Sequence, residues 1–162
     1  MTMLAQMPAP EALRAANVHP ETGLATDYLN HFNEVVMMLE MLPDMPECAE
    51  DILSWEPYGY EEHFERTGYS GRETVIMAWR AAPRAMRAHF ETVIAALDDV
   101  IADLQGRVRA GDLDGAAMAV RDEAEPLLAA ARAAVHGHVT GEAEPDPDAV
   151  QAGVDALFVQ GA

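Results

Sequence analysis

The stretch "MRAHFETVIAALDDVIADL", residues 86–104, decides the fold class of this chain. Its large apolar side chains recur at alternating intervals of four and three residues: Met86, Phe90, Val93, Leu97, Val100 and Leu104. This spacing places them on one face of an α-helix, as in the seam of a coiled coil. The stretch therefore predicts a long helix that packs this face against a partner helix.

The partner helix is predicted just after a short turn that Gly106 and Gly111 bracket, and Asp112 can cap it. Its seam repeats the same spacing with smaller side chains: Leu113, Ala117, Val120, Ala124, Leu127, Ala131 and Ala134. A seam of large residues beside a seam of small ones predicts an antiparallel helical hairpin. Pro126 should bend the second arm, because proline interrupts helical hydrogen bonding.

Helical periodicity also precedes the hairpin. A helix is expected to start near Thr22 or Thr26, either of which could cap it, and to run to about Met41, before Pro43. Runs of β-branched residues are short and alternation never lasts, so strands are not expected. The predicted fold is all-α: a helical bundle built on the long hairpin plus this N-terminal helix.

The segment between these parts contains several prolines and glycines, and it predicts shorter elements. Two short helices are expected near residues 47–55 and 60–66. Ser70 and Glu73 form a capping-box pattern that should open a longer helix. Pro83 should kink or end that helix, since its ring is incompatible with the preceding turn.

Changes in composition divide the chain into four parts. Residues 1–21 carry three prolines and predict a loose N-terminal arm, and residues 22–136 form the helical bundle. Residues 137–148 are acidic and rich in glycine and proline, which predicts a flexible linker. Residues 149–162 are amphipathic and predict a short C-terminal helix that docks on this protein or on another.

Composition restricts the function. The net charge is −18, and all ten basic residues are Arg. Such a surface repels phosphate backbones and anionic lipids, so neither a nucleic acid nor a membrane is expected as a partner. Cys48 is the only cysteine and cannot form an internal disulfide, which suits a reducing compartment. With no signal-peptide pattern and no apolar run of membrane length, a cytoplasmic protein is expected.

One face of the first predicted helix collects Asp27, Asn30, His31 and Glu34, which stand three and four residues apart. Three interpretations stay open. The face can be a solvated helix edge, half of a metal site, or a functional acid–amide pair formed by Asp27 and Asn30.

The metal interpretation adds two further histidines. His31, His63 and His89 each precede a phenylalanine and have a carboxylate nearby, as Glu34 is near His31. Iron or zinc in a di-iron or hemerythrin-like bundle would use such ligands. The spacing departs from that of di-iron bundles, because no Glu-x-x-His occurs in the chain. The alternative prediction is therefore a metal-binding bundle, while the primary one includes no metal or cofactor.

The C-terminal stretch "QAGVDALF", residues 151–158, carries a more specific pattern. It resembles the short helices by which the chemotaxis phosphatase CheZ and the flagellar switch protein FliM bind the receiver protein CheY. The matching residues are a glutamine, a β-branched residue followed by aspartate, and two apolar residues: Gln151, Val154, Asp155, Leu157 and Phe158. The resemblance implies that the tail binds a CheY-like response-regulator receiver through these residues.

The resemblance also implies a role for Asp27 and Asn30. Receiver phosphatases place an acidic residue and an amide three or four positions apart on one helix. The amide orients the attacking water, the acid pairs with the receiver's lysine, and the receiver supplies Mg²⁺. CheZ uses Asp and Gln four apart, a pattern that this chain lacks. A non-catalytic helical adaptor, or a homodimer through the hairpin seam, is the remaining alternative.

Overall fold

A computed structural model of the chain describes residues 6–138, which form helices joined by turns and loops and contain no strand. The all-α prediction is confirmed for this range. The helices are α1 (Pro10–Ala15), α2 (Asn30–Met41), α3 (Cys48–Ser54), α4 (Tyr60–Arg66), α5 (Arg72–Ala81), α6 (Arg84–Arg109), α7 (Leu113–Ala119) and α8 (Glu125–Val135). A 3-10 turn (Thr26–Leu29) leads into α2, and a π segment (Val120–Ala124) joins α7 to α8. No helix within residues 6–138 is long and apolar enough to cross a membrane.

Helix α6 carries a wider apolar stripe than the predicted seam. Val100 is only half-buried, whereas Ile101 on the adjacent position is fully buried. The reason is that α6 contacts α3 as well as α7 and α8, so more than one side of it must be apolar. The seam residues Phe90, Leu97 and Leu104 are buried inside the single chain.

The second arm begins as predicted and then departs from a regular helix. The Asp112 side chain accepts a hydrogen bond of 3.0 Å from the backbone N–H of Gly115, which confirms the predicted cap. Pro126 is the second residue of α8 and lacks the N–H that a regular helix would use there. The π segment (Val120–Ala124) lies directly before α8, so the helical pitch of the second arm changes close to Pro126.

The start of the first predicted helix differs from expectation. Neither Thr22 nor Thr26 caps α2; the chain enters it through the 3-10 turn instead. The buried Thr22 hydroxyl donates a 2.7 Å hydrogen bond to the carbonyl of Val135, at the end of α8, and accepts one from the Leu24 N–H. Thr22 therefore links the segment before the 3-10 turn to the end of α8. The end of α2 at Met41 is as predicted.

The two short helices in the middle of the chain are present, as α3 and α4. The capping box at Ser70 and Glu73 is wrong: Gly71 is the N-cap of α5 and no side chain caps that helix. Pro83 ends one helix and starts the next, as predicted, because α5 stops at Ala81 and α6 begins directly after the proline.

The N-terminal arm is docked over much of its length. Helix α1 contacts α5, and Leu13 and Val18 are buried in the core. The Tyr69 hydroxyl donates a 3.0 Å hydrogen bond to the carbonyl of Ala16. The structure differs here from the predicted loose arm, because a short apolar face finds a partner that is distant in sequence. Residues 139–162, with most of the predicted linker and the whole tail, lie outside the described range.

Candidate functional site

An open cavity of about 880 Å³, called here the polar cavity, lies where the start of α2, the loop of residues 55–59 and helix α4 meet. Its lining residues include Asp27, Asn30, His31, Glu34, Asp51, Trp55, Glu56, Tyr58, His63 and Arg66. Four of them are acidic and one is an arginine. The excess of carboxylates favours a ligand with positive charge or hydrogen-bond donors.

Both carboxylate oxygens of Asp27 are engaged. His63 Nε2 lies 3.1 Å from Asp27 Oδ2, and the Asn30 amide nitrogen donates a 3.1 Å hydrogen bond to Asp27 Oδ1. The His63 side chain is only 5% exposed, so this contact fixes its ring. The structure thus brings Asp27 and Asn30 together, as their spacing predicts, and adds His63 as the partner of the acid. Asn30 itself is exposed at the rim.

His31 is held between two aromatic rings. Its imidazole stacks on Trp55 with ring centroids 4.5 Å apart and on Tyr58 with centroids 4.3 Å apart. Its Nε2 is hydrogen-bonded to the backbone carbonyl of Glu56. Since a carbonyl oxygen only accepts, Nε2 carries the proton and Nδ1 of the neutral ring is left as an acceptor.

The protonation state of His31 follows from this environment. Burial lowers its pKa below the ordinary value of 6.5; the hydrogen bond to the Glu56 carbonyl acts in the opposite direction, and nearby His63 lowers the pKa further. At pH 7 the imidazole is therefore neutral. It offers an unprotonated nitrogen beside a cavity that carries carboxylates.

The described residues form no set of ligands for the alternative prediction of a metal site. His31, Glu34 and His63 line the polar cavity, but His89 lies on α6 and is not part of its lining. Within residues 6–138, no three His, Cys, Asp or Glu side chains are placed so as to hold a metal ion. The Nε2 atoms of His31 and His63 already bind the Glu56 carbonyl and the Asp27 carboxylate.

The loop of residues 55–59 is the part of the site that sequence reasoning missed. The Trp55 indole N–H donates a 3.0 Å hydrogen bond to the backbone carbonyl of His31. From α6, the buried Gln105 amide donates to the carbonyls of Ile52 and Trp55, at 2.8 and 2.9 Å. These bonds hold the loop against α2. The sequence feature that could have indicated this loop is the concentration of aromatic residues in a segment without helical periodicity.

The predicted partner-binding residues of the tail lie outside the described residues: Gln151, Val154, Asp155, Leu157 and Phe158. Comparison with known protein families, with curated proteins and with solved structures gave no match for this chain.

Proposed function

We propose that the polar cavity binds a small polar cation, such as an alkyl ammonium ion, and that His31 accepts a hydrogen bond from it. The observation that carries the proposal is the clamped, neutral His31 imidazole, whose Nε2–H is already committed to the Glu56 carbonyl. A neutral imidazole with one nitrogen committed is the usual arrangement of a positioned proton acceptor.

The surrounding side chains support a cationic ligand. Glu34 and Asp51 are exposed carboxylates on the cavity wall, and neither forms an ion pair within residues 6–138. Arg66 also lines the cavity. Its Nη1 lies 3.4 Å from Glu62 Oε2, and its guanidinium group lies above the Tyr58 ring. Its charge is therefore partly balanced, and the field of the cavity stays negative.

The test uses putrescine as the probe and 1,4-butanediol as its uncharged counterpart, with calorimetry at physiological salt. Putrescine should bind and the diol should not. His31→Gln should weaken putrescine binding by about tenfold, the effect of losing one hydrogen bond of 1–2 kcal/mol. His136→Gln, which changes an exposed histidine, is the matched control and should bind as the unchanged protein does.

Nitrogen NMR of the same protein checks the state of His31. At pH 6.5, where an ordinary histidine is half protonated, the neutral form of His31, with its proton on Nε2, should be the major one, because its pKa is lowered. Equal affinity for the diamine and the diol, or equal losses in the two histidine variants, would contradict the proposal.

Receiver binding is the second candidate function, and the pairing of Asp27 with Asn30 favours it. The exposed Asn30 amide stands at the rim, next to a carboxylate, where it can orient water on a docked phosphoprotein. Asp27 would have to exchange His63 for the receiver's lysine. In this proposal the tail recruits the receiver. The body that carries the tail is an antiparallel hairpin of α6 and the α7–α8 arm. A homodimer through the α6 seam has less support, since four of its six residues, Phe90, Val93, Leu97 and Leu104, are buried within one chain.

Phosphorylated CheY is the probe for this second candidate. Removing residues 150–162 should weaken its binding to the protein. Asn30→Ala should leave binding intact and abolish any acceleration of phosphate loss, whereas Met37→Ala, at an exposed position about two turns further along α2, should keep the acceleration. Unchanged affinity after the truncation would exclude the tail as the binding element, and unchanged hydrolysis in Asn30→Ala would exclude the pair as catalytic.

A further inference from the structure

A second, separate cleft of about 360 Å³, called here the aromatic cleft, opens between the loop of residues 57–60 and the middle of α6. Its wall is formed largely by aromatic rings, those of Tyr28, Tyr60, Trp79 and Phe90. Tyr60 stacks on Trp79 with centroids 4.2 Å apart, and Phe90 meets Tyr60 edge to face. Tyr58 is the one lining residue that this cleft shares with the polar cavity.

Two acidic side chains of α6, Glu91 and Asp98, complete the aromatic cleft. Asp98 Oδ1 is buried and has no hydrogen-bond partner within residues 6–138. The nearby phenol does not serve it, because the Tyr28 hydroxyl donates its hydrogen to the carbonyl of Tyr58 at 2.6 Å. A buried carboxylate oxygen without a partner is costly, so it marks a place where a donor or a cation is missing.

The charge state of Asp98 agrees with this geometry. Burial, with a smaller contribution from the neighbouring Asp99, raises its pKa to about 6. Above that pH the carboxylate is ionised, although no arginine or histidine in the described range forms an ion pair with it. Arg87, on the same helix, lies 5.7 Å from the Trp79 ring centroid and donates to the carbonyls of Trp79 and Arg80.

We propose that the aromatic cleft binds a methylated ammonium ion, with Asp98 and Glu91 supplying the negative charge and the rings of Tyr60, Trp79 and Phe90 the wall. Aromatic faces attract weakly hydrated organic cations, and carboxylates strengthen that attraction. A hard metal ion would require about six oxygen ligands, which the aromatic wall does not provide. An uncharged apolar ligand would leave the buried carboxylate oxygen unsatisfied. The cleft has the volume of a small-molecule site.

The probe is choline, and its uncharged counterpart is 3,3-dimethylbutan-1-ol, in which carbon replaces the nitrogen. Titration calorimetry on the full chain, at pH 8 and physiological salt, should give at least tenfold tighter binding of choline. Asp98→Asn should reduce choline affinity at least tenfold. Asp103→Asn, which removes an exposed carboxylate from the same helix, is the matched control and should leave the affinity unchanged.

Two further measurements check that Asp98→Asn still folds and that choline binds in the aromatic cleft. Asp98→Asn removes an unpaired buried charge, so its melting temperature at pH 8 should be no lower than that of the unchanged protein. His31→Gln should not alter choline binding, which separates this cleft from the polar cavity. The proposal is overturned if choline shows no binding at millimolar concentration, if the uncharged alcohol binds equally well, or if affinity follows His31 and not Asp98.

Discussion

Replacing Gln105 by Leu should lower the free energy of unfolding by about 2–4 kcal/mol. The buried Trp55 carbonyl would lose the Gln105 donor at a cost of about 1–3 kcal/mol, whereas the Ile52 carbonyl would keep the Trp55 N–H at 3.3 Å and lose only one hydrogen bond, about 1 kcal/mol. Gln105 is 9% exposed, and its amide nitrogen lies 2.8 Å from the Ile52 carbonyl and 2.9 Å from the Trp55 carbonyl. Leucine has nearly the same volume but no hydrogen to donate. The variant therefore isolates the hydrogen bonds from the packing.

Urea unfolding followed by tryptophan fluorescence measures this loss. Leu104→Met, a volume-conserving change at the neighbouring buried position, is the control and should cost less than about 1.5 kcal/mol. We also expect the loop of residues 55–59 to loosen first, seen as faster hydrogen exchange at its amides. If Gln105→Leu is as stable as the control, the two hydrogen bonds contribute little and another contact holds the loop.

Phe32→Ala should have the largest effect on stability, a loss of about 3–5 kcal/mol, as is usual when a fully buried phenylalanine is truncated. The Phe32 ring is fully buried, and it contacts the rings of Tyr28, His31 and Trp55. The space left behind would open the packing beneath the polar cavity. Because burial is the main cause of the lowered His31 pKa, that pKa should move back toward 6.5.

Calorimetric or urea unfolding gives the stability, and an NMR titration gives the His31 pKa. Met37→Ala is the control on the same helix, since Met37 is 56% exposed and its truncation should change stability by no more than about 0.5 kcal/mol. A large destabilisation with an unchanged His31 pKa would mean that Phe32 supports the core without shaping the environment of His31.

Local signals in the sequence were reliable where one residue decides the outcome by itself. Pro83 separates α5 from α6 because a proline cannot donate to the preceding turn, and Asp112 caps α7 because its acceptor is at the correct distance along the chain. The capping box failed because Gly71 occupies the N-cap, and no Ser70 bond forms. Neighbouring residues compete for the N-cap position, and the contacts of α5 with α1 and α4 influence where the helix starts.

By itself, the sequence determined the helical fold class, the end of α2 and the shared face of Asp27 and Asn30. These depend on periodicity and on separations of three or four residues, which a helical turn, α or 3-10, converts directly into proximity. Only the tertiary structure decided that His63 pairs with Asp27, that Trp55 and Tyr58 clamp His31 and that Asp98 Oδ1 has no hydrogen-bond partner among the described residues. Trp55 and His31 are 24 residues apart in the sequence, and His63 and Asp27 are 36 apart. Gln105, which holds the loop of residues 55–59, is 53 residues from Ile52. No local pattern encodes such contacts, because they form only when separate helices pack and exclude water from the groups between them.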